Sequence, residues 1–316
     1  VKSHRGKQLS WGRASERRIS RILQRAANET LAKLKAVEGS GKLVEHQLAS
    51  LLNDLTSISN ALNANYSELM RIHLLGSSQI AASREAQIAK KLLDGDALDK
   101  ATYGLKPEFV RSVDIASLGN VSVRYGLVAE RAVNIEFARV FADGLTLSDR
   151  IWRLGDGIRR DIGDKVVQAI AQGKSAKKLG RELQQYLTES GKGNARYNAL
   201  RLARTEINTA HREAHIQSLL DDTGQLKGYV HAIGWRLSAS HRIPDICDIW
   251  ASRDIDNLGR GNYLPANVPI DHAHGLCMTV TILKSEPDMQ FTTKEAKPGD
   301  VPAHQLKTYG IEETNE

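Results

Sequence analysis

The sequence predicts a mainly α fold, an elongated helical N-terminal region followed by a small α+β module at the C-terminal end. Three observations lead there. Apolar residues recur at helical spacing through most of the first 225 residues, alternation at period two replaces that pattern after Gly224, and six of the seven prolines lie between Pro244 and Pro302. At 316 residues the chain is long enough for more than one substructure. Aromatic residues, at 5%, are few for a protein that stacks on bases or sugars.

The first helix carries Ile19, Ile22, Leu23, Ala26, Ala27 and Leu34 at i, i+3, i+4, i+7 spacing, and a second repeats the pattern from Val44 to Leu62 after the glycines at 39 and 41. Weaker candidates lie near 66–75, 83–93 and 124–142, separated by turns at Gly76, Gly95 and Gly104. A firmer helix opens at Ser148 as N-cap and holds Ile151, Leu154, Ile158, Ile162 and Val166 on one side until Gly173. Ser175 caps a shorter helix with Leu179, Leu183 and Leu187, and a third runs from about Ala195 to Leu220. Tyr229, His231, Ile233, Trp235 and Leu237 alternate as a strand, as do Met278, Val280 and Ile282. This organisation divides the chain into a basic helical arm (1–36), a helical region (37–144), a module of helices (148–220) and strands (228–283), and an extended tail (284–316).

Charge is concentrated in the arm. Residues 1–36 hold ten Lys/Arg, including Lys2, Arg5, Lys7, Arg13, Arg17, Arg18, Arg21 and Arg25, against Glu16 and Glu29, a net of +8. The remaining 280 residues carry 34 basic and 35 acidic side chains, a net of −1. Such an arm attracts phosphate without regard to base sequence, and it attracts an acidic protein surface by the same field. No apolar run approaches the roughly 18–20 residues of a membrane span, and no apolar block follows the basic start, so neither membrane insertion nor secretion is expected.

The residues with chemical potential lie near the strands. His241 and Cys247 form one pair of metal-capable side chains, His274 and Cys277 another, and closing the flanking strands would bring the four together as a tetrahedral structural zinc site. The same four residues are equally readable as half-buried thiols and imidazoles without metal, or with a Cys247–Cys277 disulfide in an oxidising compartment. With two cysteines in all, a disulfide-dense scaffold is excluded and a reducing compartment is the better fit. Arg204 and Glu206 read as a buried or interface ion pair that orients the strands, and Trp235 and Trp250 as packing residues.

Ala203-Arg204-Thr205-Glu206, Trp235, His241, Asp245, Cys247, Pro269, His274 and Cys277 together resemble the Mu F-like head morphogenesis proteins of tailed bacteriophages, across roughly residues 145–283. Trp250 and Met278 stand where many members have further cysteines, which leaves the mixed His/Cys version of the metal site. The resemblance implies a minor head protein, encoded beside the portal gene. It implies a virion location, with the host cytoplasm as the place of assembly. Its partners would be the portal and the major capsid or scaffold protein, with multiple copies allowed, and double-stranded DNA is expected for the arm. No catalytic set is assembled on this reading, and Arg204, Glu206, Trp235 and Asp245 have structural roles.

Two enzymatic readings compete. Cys247 with His274 and Asp271 would form a thiol, base and orienting carboxylate if they met in space. The run Asp271-His272-Ala273-His274 resembles the start of a small His-Asn-His nuclease, so the alternative function is a metal-dependent nuclease or toxin-like enzyme built on the C-terminal module.

Overall fold

The structure, a computed structural model, describes residues 4–37, 48–93, 121–140, 144–172, 174–220, 230–238, 241, 243–269, 272, 275, 277–284, 287–288, 296–309 and 311. Lys2, His274 and Asp271 lie outside them, as do the turns expected at Gly95 and Gly104, and the side chain of Arg5 is likewise not described. The described residues form α1 (His4–Val37), α2 (Leu48–Leu93), α3 (Val121–Ala138), α4 (Leu147–Ala171), α5 (Ala176–Thr188), α6 (Ala195–Leu220), β1 (Val230–Arg236), α7 (Ile246–Ser252), β2 (Asn262–Tyr263), β3 (Met278–Leu283) and α8 (Ala303–Thr308). The fold is mainly α with one small antiparallel sheet near the C-terminal end. Among the described residues no helix is long and apolar enough to cross a membrane.

The chain divides into two compact units that interleave in sequence. One takes 5–74 and 135–206, the other 1–4, 75–134 and 207–316. The division falls inside α2, α3 and α6, where helical periodicity continues unbroken and leaves no boundary signal. The consecutive segments expected from composition are therefore not the packing units.

In the first unit α1 buries Ile19, Leu23, Ala26, Ala27 and Leu34, the predicted stripe. Ser15, Ser20 and Thr30 stay compatible with helix because their hydroxyls donate to the carbonyls four residues back, at 2.8–2.9 Å. Trp11 Nε1 donates to the His73 carbonyl (3.0 Å), and Lys33 and Glu16 pair with Asp54 and Arg204. The arm is thus a packed helix and not a free extension. At the start of α4 the cap is Thr146, not Ser148. The Thr146 Oγ1 accepts from Asp149 N (3.2 Å) while Asp149 Oδ2 accepts from Thr146 N (2.8 Å), a reciprocal arrangement that a threonine two residues earlier supplies better. Ser175 does cap α5, accepting from Lys178 N.

In the second unit α2 runs straight through Gly76. The small residues there serve close helix packing, since Ser77 and Ser78 donate to the Ile207 and Ala210 carbonyls of α6, and Ala81, Ala132 and Ala214 meet from α2, α3 and α6. The sheet order is β2-β1-β3, with Ile233 opposite Tyr263 and Thr281, and Trp235 opposite Thr279. Ala232 to Trp235 are all buried, because the central strand is covered on both faces; the expected alternation of inside and outside is lost. Gly261, at φ +71°, joins β2 to this core. Its carbonyl accepts from Trp235 N, and a Cβ there would stand 2.6 Å from the Ala251 carbonyl oxygen, so only glycine fits. The segment after 283 is not wholly extended. It forms α8, and Val301, Leu306 and Ile311 enter a core with Trp235, Cys247, Trp250, Tyr263 and Cys277.

His73 supplies a pH test. It is fully buried, and because Ser15 Oγ already donates to the Trp11 carbonyl, Nδ1–H must donate to Ser15 Oγ (2.6 Å), leaving Nε2 as a lone pair with no hydrogen-bond partner among the described residues. Burial, helped by the charge of Arg18, pushes its pKa down from 6.5 to about 4. Between those values the unfolded chain binds a proton that the folded chain refuses. Stability is therefore fully present above pH 6.5 and falls toward pH 4 by about 3 kcal/mol from this group. Urea unfolding of wild type and His73→Asn at several pH values should give a shallower loss in the variant over that range.

Candidate functional site

The second unit builds a polar cluster at the start of α7. Asp245 is the N-cap: Oδ1 accepts from Cys247 N (2.8 Å), and Asp248 Oδ2 reaches back to Asp245 N (2.9 Å). The Asp-x-x-Asp pattern before Ile249-Trp250-Ala251 is a capping-box signature, and it is the sequence signal that points to these two acids. Gln305 of α8 accepts from Ile246 N (2.9 Å), and Asn208 of α6 donates to the Gly275 carbonyl (2.6 Å), so two distant helices hold the two loops of the cluster.

Two imidazoles converge on the Asp245 carboxylate. His272 Nε2 lies 3.1 Å from Oδ2, and His241 Nε2 lies 3.8 Å from Oδ1 and 2.7 Å from Asp248 Oδ2. The other ring nitrogen of His241, Nδ1, is 3.9 Å from Cys277 Sγ. Burial alone would push His241 down, but the hydrogen bond to Asp248 and the charges of Asp245, Cys277 and Asp248 outweigh it and hold the imidazole above its ordinary value. Burial likewise opposes ionisation of Asp245, yet the hydrogen bond and charge of His272, the Cys247 backbone N–H and His241 hold its carboxyl below the usual range. Each member of the pair thus favours the charged form of the other.

Of the four ligands expected for zinc, His241 and Cys277 are adjacent and Cys247 shares their buried cluster, while His274 falls outside the described residues. Among the described residues, which do not include His274, two metal-capable groups meet most closely. They are Asp245, Cys247 and His272, and His241, Asp245 and Asp248, with the ligand atoms of each group within 4.8 Å of one another. The capping box aims Asp245 and Asp248 at the imidazoles. Cys247 and Cys277 are thiols, not linked to each other. The chain Cys277–His241–Asp248 has the order of a thiol, base and orienting carboxylate, but Cys277 is only 4% exposed and offers no face for attack on a substrate.

Arg204 and Glu206 each have a partner far along the chain. Arg204 binds Glu16 (2.6 Å) and Glu206, fully buried, binds Arg139 (3.1 Å); one helical turn cannot place residues two apart on the same face. Trp235 is 1% exposed, packs edge-on against Trp250 at 5.0 Å, and carries the Arg212 guanidinium 4.5 Å above its ring.

Comparison with protein-family models, with curated proteins and with solved structures finds no match for this chain. What the cluster can do follows from its own chemistry.

A second candidate surface lies on α1. Arg13, Arg17, Arg18, Arg21 and Arg25 are all exposed, opposite the buried stripe; the four-residue spacing of Arg13, Arg17, Arg21 and Arg25 sets them along one side of the helix, with Arg18 next to Arg17, and Lys7 is half-buried.

Asp248 is the shared acceptor of the cluster, serving both the cap and His241 through one oxygen. Asp248→Ala should lower unfolding stability by about 2 kcal/mol, and Asp248→Asn by less because an amide oxygen still caps. Urea denaturation at neutral pH measures both.

Proposed function

We propose that the chain is a structural component of a tailed-phage head that acts by docking to portal and capsid proteins and to DNA. The observation that carries this reading is that five residues of the resemblance, Trp235, His241, Asp245, Cys247 and Cys277, gather in or at the edge of one interior. Trp235, Cys247 and Cys277 share a buried cluster, and His241 and Asp245 interlock at its edge. Groups tied up in caps and core packing fit a rigid docking module better than an open reaction site. The arginine face of α1 supports the DNA contact, since five exposed guanidiniums on one helix can follow a phosphate backbone.

One observation favours a second reading. Two carboxylates stand in the metal-capable cluster, and oxygen ligands are what a hydrolytic cation site needs, so metal-dependent cleavage of nucleic acid is the competing function.

Purified heads of the source phage test the first point: the chain should co-purify with DNA-filled heads and be located near the portal by electron cryomicroscopy, and its absence from heads would refute the reading. Incubating the protein with plasmid and single-stranded DNA plus magnesium, manganese or zinc should give no cleavage; cleavage that His272→Gln abolishes would establish the competing function. Because α1 is part of the folded unit, DNA binding is tested by substitution and not by truncation. Arg13→Gln, Arg17→Gln, Arg21→Gln and Arg25→Gln together should weaken binding for any DNA sequence and make the salt dependence shallower, by roughly one unit of slope for each phosphate that is no longer neutralised.

A further inference from the structure

We infer that Asp245, Cys247 and His272 bind one divalent transition-metal ion of the zinc type, with His241 beside the site on the other oxygen of the same carboxylate. The ligand set differs from a His2Cys2 staple in that Asp245 is its centre and Cys277 is not a ligand.

Convergence carries the argument. Two imidazoles present the same atom, Nε2, to one carboxylate, and a thiol from the same turn of helix lies within 4.8 Å of both the carboxylate and His272. Around a tetrahedral zinc with bonds of about 2.0–2.3 Å, neighbouring ligand atoms stand about 3.3–3.8 Å apart. The spacing of 3.1 Å between His272 Nε2 and Asp245 Oδ2 and the 4.8 Å limit for the group bracket that value, so an ion enters with shifts of about 1 Å or less. Nitrogen, sulfur and carboxylate donors together suit zinc or cobalt and not magnesium or calcium, which take oxygen.

Surrounding bonds orient the ligands. Asp245 keeps Oδ2 for the ion because Oδ1 is held by the Cys247 backbone N–H. His241 is held beside the ligands by Asp248 Oδ2 at 2.7 Å and by Cys277 Sγ at 3.9 Å, and so fixes the position of the Asp245 carboxylate. A bound ion would join the loop at 272 to the start of α7, a structural role. This inference is independent of the head-protein reading: metal content and head location are measured separately, and either can fail alone.

Cobalt is the probe. Full-length protein titrated with cobalt chloride under reducing conditions should bind one ion per chain, with tetrahedral visible bands and a near-ultraviolet sulfur-to-cobalt charge-transfer band, and zinc should displace it. Cys247→Ser should remove the charge-transfer band, and Cys277→Ser should keep it. Since Cys247 is buried and its replacement can disturb folding, His272→Gln at the edge of the site provides the second variant: with an unchanged circular dichroism spectrum it should weaken cobalt binding by at least about tenfold. Zinc should raise the melting temperature of wild type, and magnesium should not. Absence of stoichiometric binding overturns the inference. So does loss of the charge-transfer band in Cys277→Ser with its retention in Cys247→Ser, or unchanged affinity in His272→Gln.

Discussion

The register of β3 against α6 is the constraint on which the C-terminal module depends, and one histidine sets it. His215 is buried with both ring nitrogens engaged, Nδ1 by Thr279 and Nε2 by Thr281, each at 2.8 Å. Those threonines are two apart and so share a face of the strand. Thr281 also donates to Glu85 of α2, whose carboxyl burial raises in pKa. A slip of one residue would put Met278 and Val280 against the imidazole and leave two buried nitrogens without partners. Holding Thr279 in place also holds Cys277, two residues earlier, beside His241. The polar cluster at α7 is therefore positioned from a helix pair that contributes none of its metal-capable side chains.

Much of this architecture was legible in the sequence. Helical periodicity located α1, α4, α5 and α6, with α6 spanning Ala195–Leu220, and the change of period after Gly224 located β1 and β3. Short elements were not legible: α7 has seven residues and β2 two, lengths at which periodicity carries no information. Gly76 carries the signal of a turn yet lies within a helix, because glycine and serine also permit close helix contact, a distinction that depends on the partner helix. In the tail, prolines signal irregular backbone without revealing whether Val301 and Leu306 near them are buried.

At the site the difficulty was of another kind. Cysteine and histidine stand out in a sequence as rare residues, whereas Asp245 stands out only through the resemblance and Asp248 is given no role. Their position in a reciprocal cap is what directs them to the imidazoles. Arg204 and Glu206 show the reverse. Neighbouring opposite charges suggest a pair, yet each found a partner far along the chain, Glu16 and Arg139.

The interleaving of the two units has a consequence for the order in which the chain can fold as it leaves the ribosome. The unit formed by 5–74 and 135–206 has all its residues once position 206 has been made. The other needs Ala81 and Ala132 from early in the chain and Val301, Leu306 and Ile311 from late in it. The apolar surface of α2 beyond Leu75 thus waits for Ile233 and Leu283, and Gln305 closes the α7 cap later still. Vectorial synthesis completes the sheet-bearing unit last, after the arginine-bearing unit already has every residue it needs to fold.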